Sequence, residues 1–182
     1  YEMNFKLFLC VIVTITIMPI ISIGQSRRWE EKKEESQSYS GPIDENMALF
    51  RGRVPTPYKF LHKGTYYAYK KEFIDGTLKY NGVEYQDILM NLNSHLDEMY
   101  VMSKSSSRTI VLNPDFFEFA HFDSGYYIYV RNAQIADGYY EILYSGKVSL
   151  YKKNIKVFSE KIGDYVDAQT NSRIIRSFTS AD

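Results

Sequence analysis

The sequence predicts a mainly β protein: an antiparallel meander folded into a sandwich or partial barrel, preceded by a signal peptide and a polar N-terminal spacer. Three observations carry this expectation. Aromatic residues make up 16% of the chain, with 17 Tyr and 11 Phe, and both types favour pleated, half-buried surfaces. Beyond residue 58, apolar and polar residues alternate over short spans separated by Gly, Asn, Asp and Ser. Asn81-Gly82 stands between two such runs, which suits a type I′ turn because both of its central residues need positive φ. At 182 residues, 45% of them hydrophobic, the chain has room for one domain with a real core.

Taken in order, residues 3–24 read as a secretory signal peptide. Met3 and Lys6 precede an apolar run to Ile23, and Ser22 and Gly24 supply the small residues of a cleavage site. An uncleaved anchor helix is the alternative, but the run is near the lower length limit for a span and contains Thr14, Thr16 and Pro19. Cys10, the single cysteine, lies inside this run. Cleavage therefore leaves a chain with no disulfide, thiolate metal site or cysteine nucleophile in an oxidising compartment. Residues 25–57 are expected to be a polar spacer of mixed charge around Trp29. A short helix capped by Asp44 runs to Phe50 and stops at Gly52, before Pro55 and Pro57 force an extended path.

The β domain is expected over residues 58–182. Residues 65–71, TYYAYKK, read as a strand, and residues 76–86 as the hairpin about Asn81-Gly82. Residues 105–114 bring a strand ended by Asn113-Pro114, and residues 117–130 and 137–154 form hairpins turning near Ser124-Gly125 and Ser145-Gly146. The stop shortly after RIIRSF predicts a fragment lacking a C-terminal portion.

Residues 85–102, YQDILMNLNSHLDEMYVM, fit two templates. Tyr85, Ile88, Leu89, Leu92, Leu96 and Met99 keep a helical spacing. Against it, Asn91, Asn93, Ser94 and His95 are weak helix formers that prefer turns. The hairpin reading puts Ile88, Met90 and Leu92 on one face, Asp87, Asn91 and Asn93 on the other, and turns at residues 93–95. It also gives the Asn-Gly turn its partner strand, and it is preferred.

The segments FIDGTLKYNGVEYQDILMNLNSHLDEMYV, IVLNPDFFEFAHF and YYEILYSGKVSLYKK resemble a group of secreted, β-rich proteins of Bacteroidota, over about residues 60–153. The shared pattern is a glycine-bearing turn, an acidic pair before Met, a Phe-rich segment and a Tyr-Glu-Ile/Val-Leu strand. The resemblance implies a β-rich fold and export. It implies no activity and assigns no site residues.

The chemistry-bearing residues are sparse. Asp97 and Glu98 adjoin His95, but on a strand they point to opposite faces and do not act as a carboxylate pair. His62, His95 and His121 are far apart in sequence and show none of the close spacings of a zinc site. The serines of residues 103–108 lack a nucleophile elbow, and no phosphate-binding glycine loop is present. No catalytic residue, metal or cofactor is therefore expected. Twenty-two basic residues balance 22 acidic ones, which provides no field for nucleic acid. The membrane is expected to matter only through the signal segment. The least ordinary feature is tyrosine: Tyr67 with Tyr69, and Tyr127 with Tyr129, would each line one strand face and offer rings to a sugar or a protein partner.

Two function classes follow. The first, preferred, is an exported non-catalytic binding or assembly module of the bacterial cell envelope, periplasmic or at the cell surface, with an envelope protein or a glycan as partner. The second is a small envelope hydrolase or hydrophobic-ligand carrier with an enclosed cavity, in which His62, His121 and a carboxylate converge or apolar side chains line a hollow.

Overall fold

A computed structural model describes residues 37–39, 47–132, 134–168 and 171–181, so the signal segment and most of the spacer expected at 25–57 lie outside the described residues. Twelve strands follow in order: β1 Gln37–Tyr39, β2 Lys63–Gly64, β3 Ile74–Tyr80, β4 Val83–Asn93, β5 Glu98–Met102, β6 Thr109–Val111, β7 Phe117–Phe122, β8 Gly125–Asn132, β9 Ile135–Tyr144, β10 Leu150–Lys152, β11 Lys156–Asp167 and β12 Ser172–Ser180. Single 3-10 turns stand at Ala48–Phe50 and Pro114–Phe116.

Strands β3 to β6 make one antiparallel meander and β7 to β10 a second. The two join through their first strands, β3 against β7, giving the order β10-β9-β8-β7-β3-β4-β5-β6. The outer strands β6 and β10 do not pair with each other, so the sheet curls without closing into a barrel. The curl is enforced by one core drawn from both meanders: Leu78, Met90 and Val101 from the first, and Phe117, Phe122 and Tyr139 from the second. Each such enclosed aliphatic side chain contributes about 2 kcal/mol. A smaller sheet, β11-β12-β2, carries the C-terminal hairpin. Two short pairs are parallel, β1 on β4 and β2 on β12.

The local turns follow the residues. Tyr80 pairs with Val83 across Asn81 (φ 52°) and Gly82 (φ 76°), the predicted I′ geometry. Phe122 pairs with Gly125 across Asp123 (φ 48°) and Ser124 (φ 62°), which is again a two-residue turn of positive φ. Residues 85–102 are the preferred hairpin, with Asn93 opposite Glu98. The helix-like Tyr85–Ile88 spacing has a strand explanation. Pairing with β3 shifts register between Gly76 and Leu78, and Asp87 takes φ 56° opposite the shift. This bulge inserts one residue, so Tyr85 and Ile88 both face the core despite lying three apart.

Two expectations need correction. The stretch read as a polar spacer to residue 57 contributes to the domain: Leu49 and Phe50 are each 1% exposed, and β1 pairs along Val83–Tyr85 of β4. The reason is that β3 takes one edge of β4 while β5 covers only the C-terminal half of the other, leaving the N-terminal half of that edge to be filled. Residues 65–71 are not a strand but an irregular strap with one bridge, Tyr67 to Asn93. That strap covers the outer face of β4, so Asn91 and Asn93, on the face opposite Met90 and Leu92, are buried. Both are satisfied there. The Asn91 amide donates to the carbonyls of Lys70 (3.0 Å) and Glu72 (2.9 Å), while Asn93 donates to Tyr100 Oη (2.8 Å) and accepts the His95 and Leu96 N–H groups.

Where the ladder fails to close, side chains stitch the sheet. Asp97, in the β4–β5 turn at φ 56°, accepts the Tyr139 N–H of β9 (3.1 Å) and pairs with Lys153 (3.0 Å). On the strap, the Tyr69 hydroxyl donates to Glu141 of β9 and accepts from Lys152 Nζ (2.8 Å). That hydrogen bond holds the Lys152 ammonium above the ordinary lysine range.

Candidate functional site

The unclosed seam forms a cleft of about 730 Å³, open to solvent. Tyr129 and Tyr139 of β8 and β9 line one side, and Glu98 and Val111 of β5 and β6 the other. Segment 51–53 reaches the cleft because the Val111 N–H donates to the Arg53 carbonyl (2.8 Å), laying the chain along β6. Asn81 arrives on the I′ turn, and Asn113 caps the 3-10 turn Pro114–Phe116 by accepting the Asp115 N–H (3.0 Å). Phe116, half exposed, packs edge-on to Tyr80 at 6.0 Å. Tyr129 packs edge-on to Tyr139 at 4.9 Å, with the Arg131 guanidinium over its ring at 4.7 Å.

The charges of the cleft are unequally committed. Glu98 pairs with Arg53 and accepts the Tyr100 hydroxyl (3.0 Å), while Asp97 is held by Lys153 and the Tyr139 N–H. Arg51 forms no ion pair among the described residues and remains the uncompensated cation. The site thus combines ring faces, carboxamides and one open positive charge, a donor set for binding a hydroxyl-rich or anionic ligand.

The sequence-predicted residues separate. Tyr127 is fully enclosed and Tyr67 is 9% exposed, so neither offers a free ring to solvent. Tyr67 instead edges a second, smaller hollow of about 400 Å³, together with Tyr66, Tyr100, Pro55 and Pro57. Tyr69 is exposed but bound into the Glu141–Lys152 stitch, and Tyr129 alone reaches the cleft. His62 and His95 come together, each 5.0 Å edge-on to Phe178, in an aromatic cluster that seats the small sheet. His121 lies outside it on β7 beside Tyr126, so the convergence of His62 with His121 does not occur. His95 Nδ1 lies 3.0 Å from the Lys156 carbonyl, and the Lys156 N–H donates to the Ser94 carbonyl (3.1 Å), which ties β11 to the β4–β5 turn. Among the described residues no three His, Cys, Asp or Glu side chains gather as a metal site.

Sequence reasoning missed Arg51, Asn81, Asn113 and Phe116 as cleft residues. The one available signal was that Asn81 and Asn113 both sit in turns beside Gly or Pro.

Burial raises the folded-state pKa of Tyr67, Tyr100, Tyr127 and Tyr139 above the ordinary 10.0. The folded chain therefore keeps protons that the unfolded chain loses. The stability due to these groups is complete below about pH 10 and falls as pH rises further, by about 1.4 kcal/mol per pH unit for each tyrosine. Alkaline titration is expected to release these phenolates in one steep step that coincides with loss of the β circular dichroism signal. Gradual ionisation of every tyrosine near the ordinary value, with the sheet intact, contradicts this.

Fold and site together define a curled antiparallel β protein with an aromatic, arginine-bearing cleft along its open seam. Comparison with protein-family models, curated proteins and solved structures finds no match to this chain.

Proposed function

We propose that the protein is an exported, non-catalytic binding module of the bacterial cell envelope whose ligand, an envelope glycan, occupies the seam cleft. The observation that carries this is the cleft itself. Tyr80, Phe116 and Tyr129 offer ring faces beside Asn81, Asn113 and Arg51, which has no ion pair among the described residues, and sugars are held by stacking on such rings with hydrogen bonds to their hydroxyls. Both nearby carboxylates are engaged in ion pairs and hydrogen bonds within the fold, which favours binding over acid–base chemistry. Export draws support from the signal-like residues 3–24, from a remainder without cysteine, and from the resemblance to secreted Bacteroidota proteins. The hydrolase or carrier alternative needs an enclosed hollow, and this one is open to solvent.

The test is a panel of oligosaccharides titrated against the isotope-labelled protein by NMR. Binding is expected to perturb the amides of Arg51, Asn81, Asn113 and Tyr129. Tyr129→Ala is expected to weaken it about tenfold, since stacking on an aromatic ring is worth about 1 kcal/mol or more. Perturbations confined to other faces, or no binding across the panel, overturn the reading.

A further inference from the structure

The second hollow lies on the same wall as the first. Segment 51–58 borders both: Arg51 and Arg53 face the seam cleft, and Val54 to Tyr58 line the smaller hollow. They also share a strand. Glu98 lines the cleft and Tyr100 the smaller hollow; two apart on β5, they lie on one face about 7 Å from each other. The Tyr100 hydroxyl donates to Glu98, and Arg53 pairs with Glu98, so a single polar ridge separates the two hollows. Beyond it the smaller hollow repeats the chemistry of the cleft. Tyr66, half-buried, supplies ring surface beside Pro55 and Pro57, and Arg108, exposed, makes no ion pair among the described residues.

We infer that the two hollows are subsites of one groove, and that the ligand is an acidic oligosaccharide long enough to cross the Arg53–Glu98 ridge. One anionic sugar meets Arg51 and another meets Arg108, because one guanidinium borders the cleft and the other the smaller hollow, and neither has an ion pair among the described residues. The ridge, presenting Arg53 and Glu98, matches the hydroxyls of the intervening sugar. The inference rests on the glycan reading above, and extends it to ligand charge and length.

The test is calorimetric titration of the full chain with oligogalacturonates from monomer to hexamer, beside uncharged malto-oligosaccharides of the same lengths. Affinity in the acidic series is expected to rise at least about tenfold from monomer to hexamer, as a second anchored sugar adds its contacts. Arg108→Ala is expected to remove that rise, and Arg51→Ala to weaken every length. Both arginines are exposed, and an unchanged melting temperature confirms that the variants fold. If Arg108→Ala leaves the hexamer unaffected while Arg51→Ala weakens it, the groove fails and the glycan-binding cleft stands. Equal affinity for both series removes the acidic assignment. No binding in either series sinks the inference together with the function it rests on.

Discussion

Replacing Gly138 with alanine is expected to lower stability by more than about 3 kcal/mol and to open the seam. Gly138 is buried at φ 145°, a backbone region that L side chains rarely adopt. A Cβ there would land on Asp97 Oδ2 and Lys153 Nζ, the ion pair that joins the β4–β5 turn to the second meander. Strain and displacement of a stitch therefore add. Gly82→Ala is the control: it shares a positive φ, 76°, but its side chain would meet open space, so only the conformational cost of about 1 kcal/mol applies. Denaturant midpoints of the two variants check this. Equal losses would mean that the seam contact contributes nothing.

Asp97→Ala is expected to cost about 3 kcal/mol, and Asp97→Asn about 1 kcal/mol. Alanine leaves the Tyr139 N–H without an acceptor, takes the carboxylate from the mostly buried Lys153, which keeps the Asp137 carbonyl and the Tyr140 ring, and places a Cβ-only residue at φ 56°. Asparagine keeps an acceptor oxygen and tolerates the left-handed region, losing only the charge. Because Asp97 and Lys153 are 30% and 20% exposed in their side chains, solvent moderates the ion-pair part, and the hydrogen bond decides the difference. Hydrogen exchange supplies the local readout. The Tyr139 amide is expected to exchange faster in Asp97→Ala and to stay protected in Asp97→Asn. Uniform exchange in both variants would show that the stitch does not hold β9 in place.

These two positions also show where reading the chain stops working. Asp97 was legible as a strand-end residue whose side chain parts from that of Glu98, and it does so: one carboxylate goes to Lys153, the other to Arg53. Its partners lie 42 and 56 residues away, and no local pattern names them. The hairpin at residues 85–102 was readable from Asn and Ser composition, but its bulge disguised part of the strand as a helix. The strand pattern put Asn91 and Asn93 on the face opposite Met90 and Leu92 but named nothing that covers that face. Their burial depends on the strap at residues 65–71, which itself looked like a strand. Leu49 and Phe50 were hidden inside a run whose overall composition is polar.

The chain alone determined its β class and its tight turns, since alternation and the φ preferences of Asn81-Gly82 act between residues a few positions apart. Tertiary structure alone decided that the curled sheet stops short of closure, that Arg51 and Tyr129 line the same cleft, and that His62 joins His95 while Tyr127 is sealed in the core. Those outcomes depend on register and curvature summed over eight strands, where a one-residue bulge redirects every side chain beyond it.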